Sequence, residues 1–197
     1  MKKLSRYILA GVVILVCLIG VLHFADAKTF KGRVIDADTR EPIEGAVVVA
    51  YWYKATETIT GDSTTLEDVK ECLTDKNGEW SISGPKGKPH NPNPLFSLFT
   101  GVYYTREPEF IVFKPGFCSW PNGFDIDSCK GRIKPGGNGE ISEGKTVELP
   151  KVSGKDRRGS LPHPIDDLER QKEFWAKQRL FLKLLNEERG NIGLDKY

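Results

Sequence analysis

Between Ile43 and Tyr53 the chain reads Ile-Glu-Gly-Ala-Val-Val-Val-Ala-Tyr-Trp-Tyr, apolar at successive positions rather than at alternate ones. An extended segment of this kind presents apolar side chains on both faces and has to be covered on both, so it is predicted as a central strand. Its surroundings read the same way. Phe30, Gly32 and Val34 alternate with Lys31, Arg33 and Ile35, and Asp36 to Pro42 then breaks the run with turn formers. Leu73-Thr74, Asp75-Lys-Asn-Gly78 and Glu79-Trp-Ser-Ile-Ser83 predict a second hairpin, with Trp80 and Ile82 inward and Asn77-Gly78 in the turn. Phe110-Ile-Val-Phe113 is another doubly apolar run, and Val147 with Leu149 alternates in a last short strand. Twenty glycines and twelve prolines punctuate these runs, so the expected body, residues 28–152, is a mainly β sandwich.

The first 27 residues read as an address. Lys2, Lys3 and Arg6 precede an uncharged run over residues 7–25, and Ala25-Asp26-Ala27 has the small-x-small form of a cleavage site. Residues 1–27 are therefore expected to be a signal peptide or, if uncleaved, an N-terminal membrane anchor tethering the body to the inner membrane. Either outcome exports the body to the periplasm or cell envelope. Setting Lys2, Lys3, Arg6 and Asp26 aside leaves 26 basic and 26 acidic residues, a balance that offers no broad field for nucleic acid. After cleavage three cysteines remain. Cys118 and Cys129 flank the turn-rich Trp120-Pro-Asn-Gly-Phe124 and are the preferred disulfide, with Cys72 bonded to either, or three unpaired thiols, as the alternatives.

The string Gly32-Arg-Val-Ile-Asp36, Pro42-Ile-Glu-Gly-Ala-Val47, Thr74-Asp-Lys-Asn-Gly-Glu-Trp80, Phe113-Lys-Pro-Gly-Phe117 and Val147-Glu-Leu149 resembles the carboxypeptidase regulatory-like domain of bacterial exported proteins. That resemblance implies a transthyretin-like (prealbumin-like) antiparallel β-sandwich in a secreted setting, in a family whose members are usually noncatalytic accessory or adhesive modules. Residues 54–71 and 85–105 are longer than such a domain needs and are expected to be long loops.

A search for chemistry finds little. The zinc motif of the carboxypeptidases themselves, His-x-x-Glu, is matched neither at His90 nor at His163. Hydroxyisourate hydrolases are similar around Arg33-Val-Ile-Asp36 but need a histidine where Arg33 stands, and intradiol dioxygenases need two Tyr and two His. Gly61-Asp-Ser63 has the form of a lipase nucleophile block without a base to serve it. Asp36, Asp38 and Glu41, like Asp125 and Asp127, are the acidic residues that turns use by default. No catalytic, cofactor-binding or metal residue is assigned.

Residues 153–163 read as a linker, 164–190 as one amphipathic helix and 191–197 as a tail. Phe174, Trp175, Phe181, Leu182 and Leu185 share a stripe with Leu168, and Leu180 and Leu184 fall outside it as a possible partner-helix face. The function expected from all this is an exported noncatalytic module, binding or structural, whose partner is an envelope protein or polysaccharide. Membrane contact is possible through residues 7–25 or the C-terminal helix. The alternatives are a carbohydrate-binding protein using Trp120, Phe124 and Tyr103 as ligand-contact aromatics, and a small sandwich-based hydrolase.

Overall fold

The computed structural model describes residues 27–58, 61–85, 104–121, 127–129, 141, 144–167 and 169–197. The expected signal or anchor segment therefore lies outside the described residues. Seven strands form two sheets: β1 (Thr29–Asp36), β2 (Val47–Thr58), β3 (Gly61–Leu73), β4 (Glu79–Ser83), β5 (Tyr104–Thr105), β6 (Glu109–Phe113) and β7 (Lys145–Leu149). The first sheet has the order β4-β1-β7. In the second, β2 is flanked by β3 on one side and by β5 and β6 on the other. Two helices follow, α1 (Gln171–Ala176) and α2 (Arg179–Asn191).

The doubly apolar run becomes the centre of a three-layer stack. Val48, Ala50 and Trp52 of β2, with Phe110 and Val112 of β6, face Phe30, Val34, Trp80, Ile82, Val147 and Leu149 of the first sheet. On the other face Val47, Val49, Tyr51, Ile111 and Phe113 meet Phe174, Phe181 and Leu185 of the helices, and Phe113 and Phe181 pack edge to face at 6.1 Å. Each large side chain removed from water here contributes about 1.5–3 kcal/mol. Both faces of the second sheet are thus dry. Gly32 serves the first core by having no side chain: a Cβ there would lie 2.7 Å from Trp80 Cζ2 and 2.8 Å from the Lys145 carbonyl oxygen.

Several expectations are corrected. The sheets are not wholly antiparallel, because β1 pairs with β7 in parallel from Gly32↔Lys145 to Asp36↔Leu149. Residues 54–71 are no loop: β2 and β3 continue as one long hairpin, paired from Val47↔Leu73 to Thr58↔Gly61, with a bulge opposite Trp52 and Tyr53. The expected Leu73/Glu79 hairpin is a crossing from one sheet to the other. Its hinge is Thr74, buried, whose hydroxyl donates to the Ile43 carbonyl and accepts from the Ala46 N–H, and Asp75, whose carboxylate accepts the N–H groups of Asn77 and Glu79. Gly78 takes φ +73° at that turn, where a Cβ would stand 2.3 Å from the Val34 carbonyl oxygen.

The single C-terminal helix is also corrected. It breaks at Lys177–Gln178, because the buried Gln178 turns its amide inward, donating to the carbonyls of Ile165 and Phe174 and accepting the Ile165 N–H. Ahead of α1, Asp167 accepts the N–H groups of Glu169 and Arg170 and holds a turn where helix was expected. Leu180 and Leu184 are half-buried against the same core as Phe181, so they are not surplus apolar surface awaiting a partner.

Candidate functional site

With the second sheet covered on both faces, the outer face of β4-β1-β7 is the open sheet face among the described residues. Its side chains follow from the period of two that buries Phe30, Val34, Trp80 and Ile82: the alternate positions Lys31, Arg33, Glu79, Ser81 and Thr146 are exposed. Register sets them in rows. Arg33 lies between Glu79 on β4 and Thr146 on β7, and Lys31 lies beside Ser81, with the Gly144 N–H bonded to the Lys31 carbonyl. The twist of this face and the end of β3 enclose an open groove of about 720 Å³, walled by Lys31, Arg33, Glu79, Ser81, Thr146 and Cys72.

The electrostatics of the groove are unequal. The Arg33 Nε donates to the Asn77 carbonyl at 2.8 Å, which orients the guanidinium and, among the described residues, leaves its two terminal nitrogens without a partner. Among the described residues Lys31 has no side-chain partner, and Glu79, across from Arg33, makes no ion pair with it. Asp75 is committed to its own turn. At the far end Cys72 is half-buried, and burial pushes its thiol up to about 11, against the opposing N–H of Ser81.

The sequence-derived site residues fall elsewhere. Cys118 and Cys129 form the disulfide, both fully buried. Trp120 is corrected from ligand contact to core: it is 4% exposed, and its backbone exchanges both hydrogen bonds with Val112. Phe124 and Tyr103 lie outside the described residues, as do most of residues 85–105. The apolar face of the C-terminal helices, offered to a membrane or a partner, is seated on the second sheet. Among the described residues no three His, Cys, Asp or Glu gather as a metal site, and no helix is long and apolar enough to cross a membrane. His163 is exposed, His90 lies outside the described residues, and the Tyr51 hydroxyl is bonded to Glu109 Oε2 at 2.8 Å. Sequence reasoning did not single out the groove, although the alternation of Lys31 and Arg33 with Phe30, Gly32 and Val34 carried one of its three strands.

No family model matches the chain, and no curated protein matches it. It is similar to solved oxygenase structures. The 3-chlorocatechol 1,2-dioxygenase of Rhodococcus opacus 1CP is 20% identical with TM-score 0.32, the match covering 65% of this chain and 61% of that one. The wild-type catechol 1,2-dioxygenase of Acinetobacter radioresistens is 16% identical with TM-score 0.34, over 73% of this chain and 56% of that one. A 9R-lipoxygenase from Cyanothece PCC8801 is 12% identical with TM-score 0.34, over 85% of this chain and 25% of that one. The match thus spans about three fifths of the first of these enzymes and just over half of the second. These neighbours are enzymes, so the expectation of a noncatalytic accessory module is corrected and that description is dropped. At these TM-scores no activity passes from them to this chain. What stands is a mainly β, two-sheet body with a buried disulfide, compatible with an oxidising, exported compartment.

Proposed function

We propose that this is an exported protein of the cell envelope, with the transthyretin-like topology of the regulatory-like domain it resembles, and that the groove on β4-β1-β7 takes up an extended, polar envelope ligand, a polysaccharide chain. The observation that carries the reading is the asymmetry of the stack. One sheet spends both faces on cores, while the other leaves a concave polar face open with uncommitted hydrogen-bonding groups at Arg33, Lys31, Glu79 and Thr146. Support for a sugar rather than a peptide comes from the floor. β1 is bonded on both sides, by β4 and by β7, so it offers no free strand edge for a peptide to extend. The walls offer the hydroxyls of Ser81 and Thr146 and the charges of Lys31, Arg33, Asp75 and Glu79 beside the exposed Leu73, which suits a sugar ring with both its hydroxyls and its apolar face.

The test is a titration of the isotopically labelled body with a panel of soluble tetra- to hexasaccharides, followed by backbone amide shifts. Shifts confined to 31–33, 79–81 and 144–146 are expected. Shifts that cluster elsewhere, or none with any member of the panel, overturn the reading.

A further inference from the structure

The walls of the groove carry two cations, Lys31 and Arg33, and two carboxylates, Asp75 and Glu79, so their formal charges cancel and a charged ligand of either sign finds no net field to favour it. We infer that the groove selects a neutral glycan and grips it at two adjacent ring hydroxyls, which Arg33 and Glu79 hold between them; this deepens the groove reading and rests on it.

Arg33 and Glu79 stand directly opposite each other on β1 and β4, and residues so placed have Cβ atoms about 5 Å apart, close enough for an ion pair. Among the described residues they make none, because the Arg33 Nε is drawn instead to the Asn77 carbonyl at 2.8 Å, which leaves a donor and an acceptor side by side and unspent. A guanidinium only donates and an ionised carboxylate only accepts. A hydroxyl does both on one oxygen without carrying charge. Two neighbouring hydroxyls of a sugar ring therefore satisfy the pair, one donating to a Glu79 oxygen and the other accepting from a terminal nitrogen of Arg33. A carboxylate ligand suits Arg33 but is repelled by Glu79, and an ammonium ligand meets the reverse.

The rest of the wall agrees with a neutral ring. Thr146 on β7 flanks Arg33 on the side away from Glu79, and Ser81 flanks Lys31 in the next row, so hydroxyls and a further donor line the path along the strand. Asp75 is turned to the N–H groups of Asn77 and Glu79, which leaves Glu79 as the acceptor of the wall. At the β3 end Leu73 is 44% exposed, an apolar surface for the C–H face of a sugar ring.

Calorimetry and amide shifts on the intact body test the inference with 1,4-linked galactotetraose, cellotetraose and mannotetraose, with tetragalacturonate as a charged counterpart and pentaglycine as a neutral chain without hydroxyls. At least one neutral sugar is expected to bind in the groove, to bind more tightly than tetragalacturonate and pentaglycine, and to change little as salt rises. For that sugar Arg33→Met and Glu79→Met should each weaken binding about tenfold, and the double variant should lose less than the product of the two, because both groups hold one diol. Both substitutions are at exposed side chains, and an unchanged melting temperature shows that each variant folds; Arg33→Gln and Glu79→Gln give the same test where a methionine variant melts early. If tetragalacturonate or pentaglycine matches the best neutral sugar, the inference falls while the groove stands. It falls equally if one substitution weakens binding and the other tightens it, or if the double variant loses the full product. If no compound shifts groove amides, the groove reading itself fails.

Discussion

Removing Arg157 should cost this fold more than its position in a linker suggests. Its guanidinium makes two bonds to Glu188, Nε to Oε1 at 2.6 Å and a terminal nitrogen to Oε2 at 2.5 Å, and so joins the segment after β7 to the last turns of α2, 31 residues away. The two ends differ in burial. Glu188 is 1% exposed, whereas the Arg157 side chain keeps 26% of its surface in water. The bonds to Glu188 raise the arginine's affinity for its proton against the opposing effect of burial. In Arg157→Met the carboxylate stays in the interior with no cation, and breaking a buried pair from one side costs roughly 3–5 kcal/mol. The partial exposure of the guanidinium lets water reach the vacated site, which puts the cost at the lower end, about 3 kcal/mol. With a urea slope of about 2 kcal/mol per molar, the midpoint should fall by about 1.5 M with the slope unchanged. The double variant Arg157→Met with Glu188→Leu removes both charges and should recover most of the loss, since no unpaired carboxylate is left behind. A single variant within 1 kcal/mol of the parent, or a double variant that loses the sum of the two singles, would refute the argument.

Three further outcomes are expected. Glu71 reaches from β3 to accept the N–H groups of Leu180 and Phe181 at 2.8 and 2.9 Å, capping α2 from another layer, so Glu71→Ala should cost about 1–2 kcal/mol in denaturant titrations and raise hydrogen exchange at those two amides first. Cys72, with its thiol near 11, is about a thousandth thiolate at pH 8, and its reaction with a disulfide reagent should be slow when folded and fast in urea; an immediate reaction in the folded state would contradict its burial. Asp36 is buried, which opposes its charge, but the N–H groups of Asp38 and Thr39 and the Lys151 ammonium outweigh that and lower its pKa. A carboxyl lowered on folding contributes stability above its ordinary value of 3.8 and loses it as the pH falls through the folded value, so Asp36→Asn should flatten the acid limb of the stability profile below about pH 4 and be most costly near neutrality.

What could be read in advance was whatever a local pattern decides. The run from Val47 to Trp52 announced a strand with two dry faces, and Trp80 and Ile82 announced their own inward turn. What covers the second dry face was not written locally, because Phe174, Phe181 and Leu185 arrive from more than 100 residues away. The extension of the β2–β3 hairpin was misread as loop because its residues are polar. Yet Thr56, Thr58, Ser63, Thr64 and Thr65 are dense in threonine, whose branched Cβ favours extended backbone whether or not a core lies beneath. Trp120 stands among turn formers and was a candidate ligand-contact ring for the carbohydrate-binding alternative, but two backbone bonds to Val112 draw it under the sheet. The break at Gln178 had a visible signal, a glutamine in the middle of an apolar stripe. Such a residue is either a flaw in a continuous helix or, as here, an amide spent on a neighbouring backbone.

The groove escaped notice for the same reason that it is well built. Its three strands are separated by the whole body of the sandwich, and only the pairing of Gly32 with both Trp80 and Lys145 brings them side by side. β7 is short and follows a long connection, so on its own it would hold its register weakly. Its far end is fastened instead: the Cys118 N–H donates to the Pro150 carbonyl, Phe117 bridges Lys151, and the Cys118–Cys129 disulfide closes that corner. A bridge across eleven residues is worth on the order of 3 kcal/mol in the chain-entropy model. The anchored corner carries Thr146 and Gly144 at the other end of the same strand, so the covalent brace and the wall of the open face are two ends of β7.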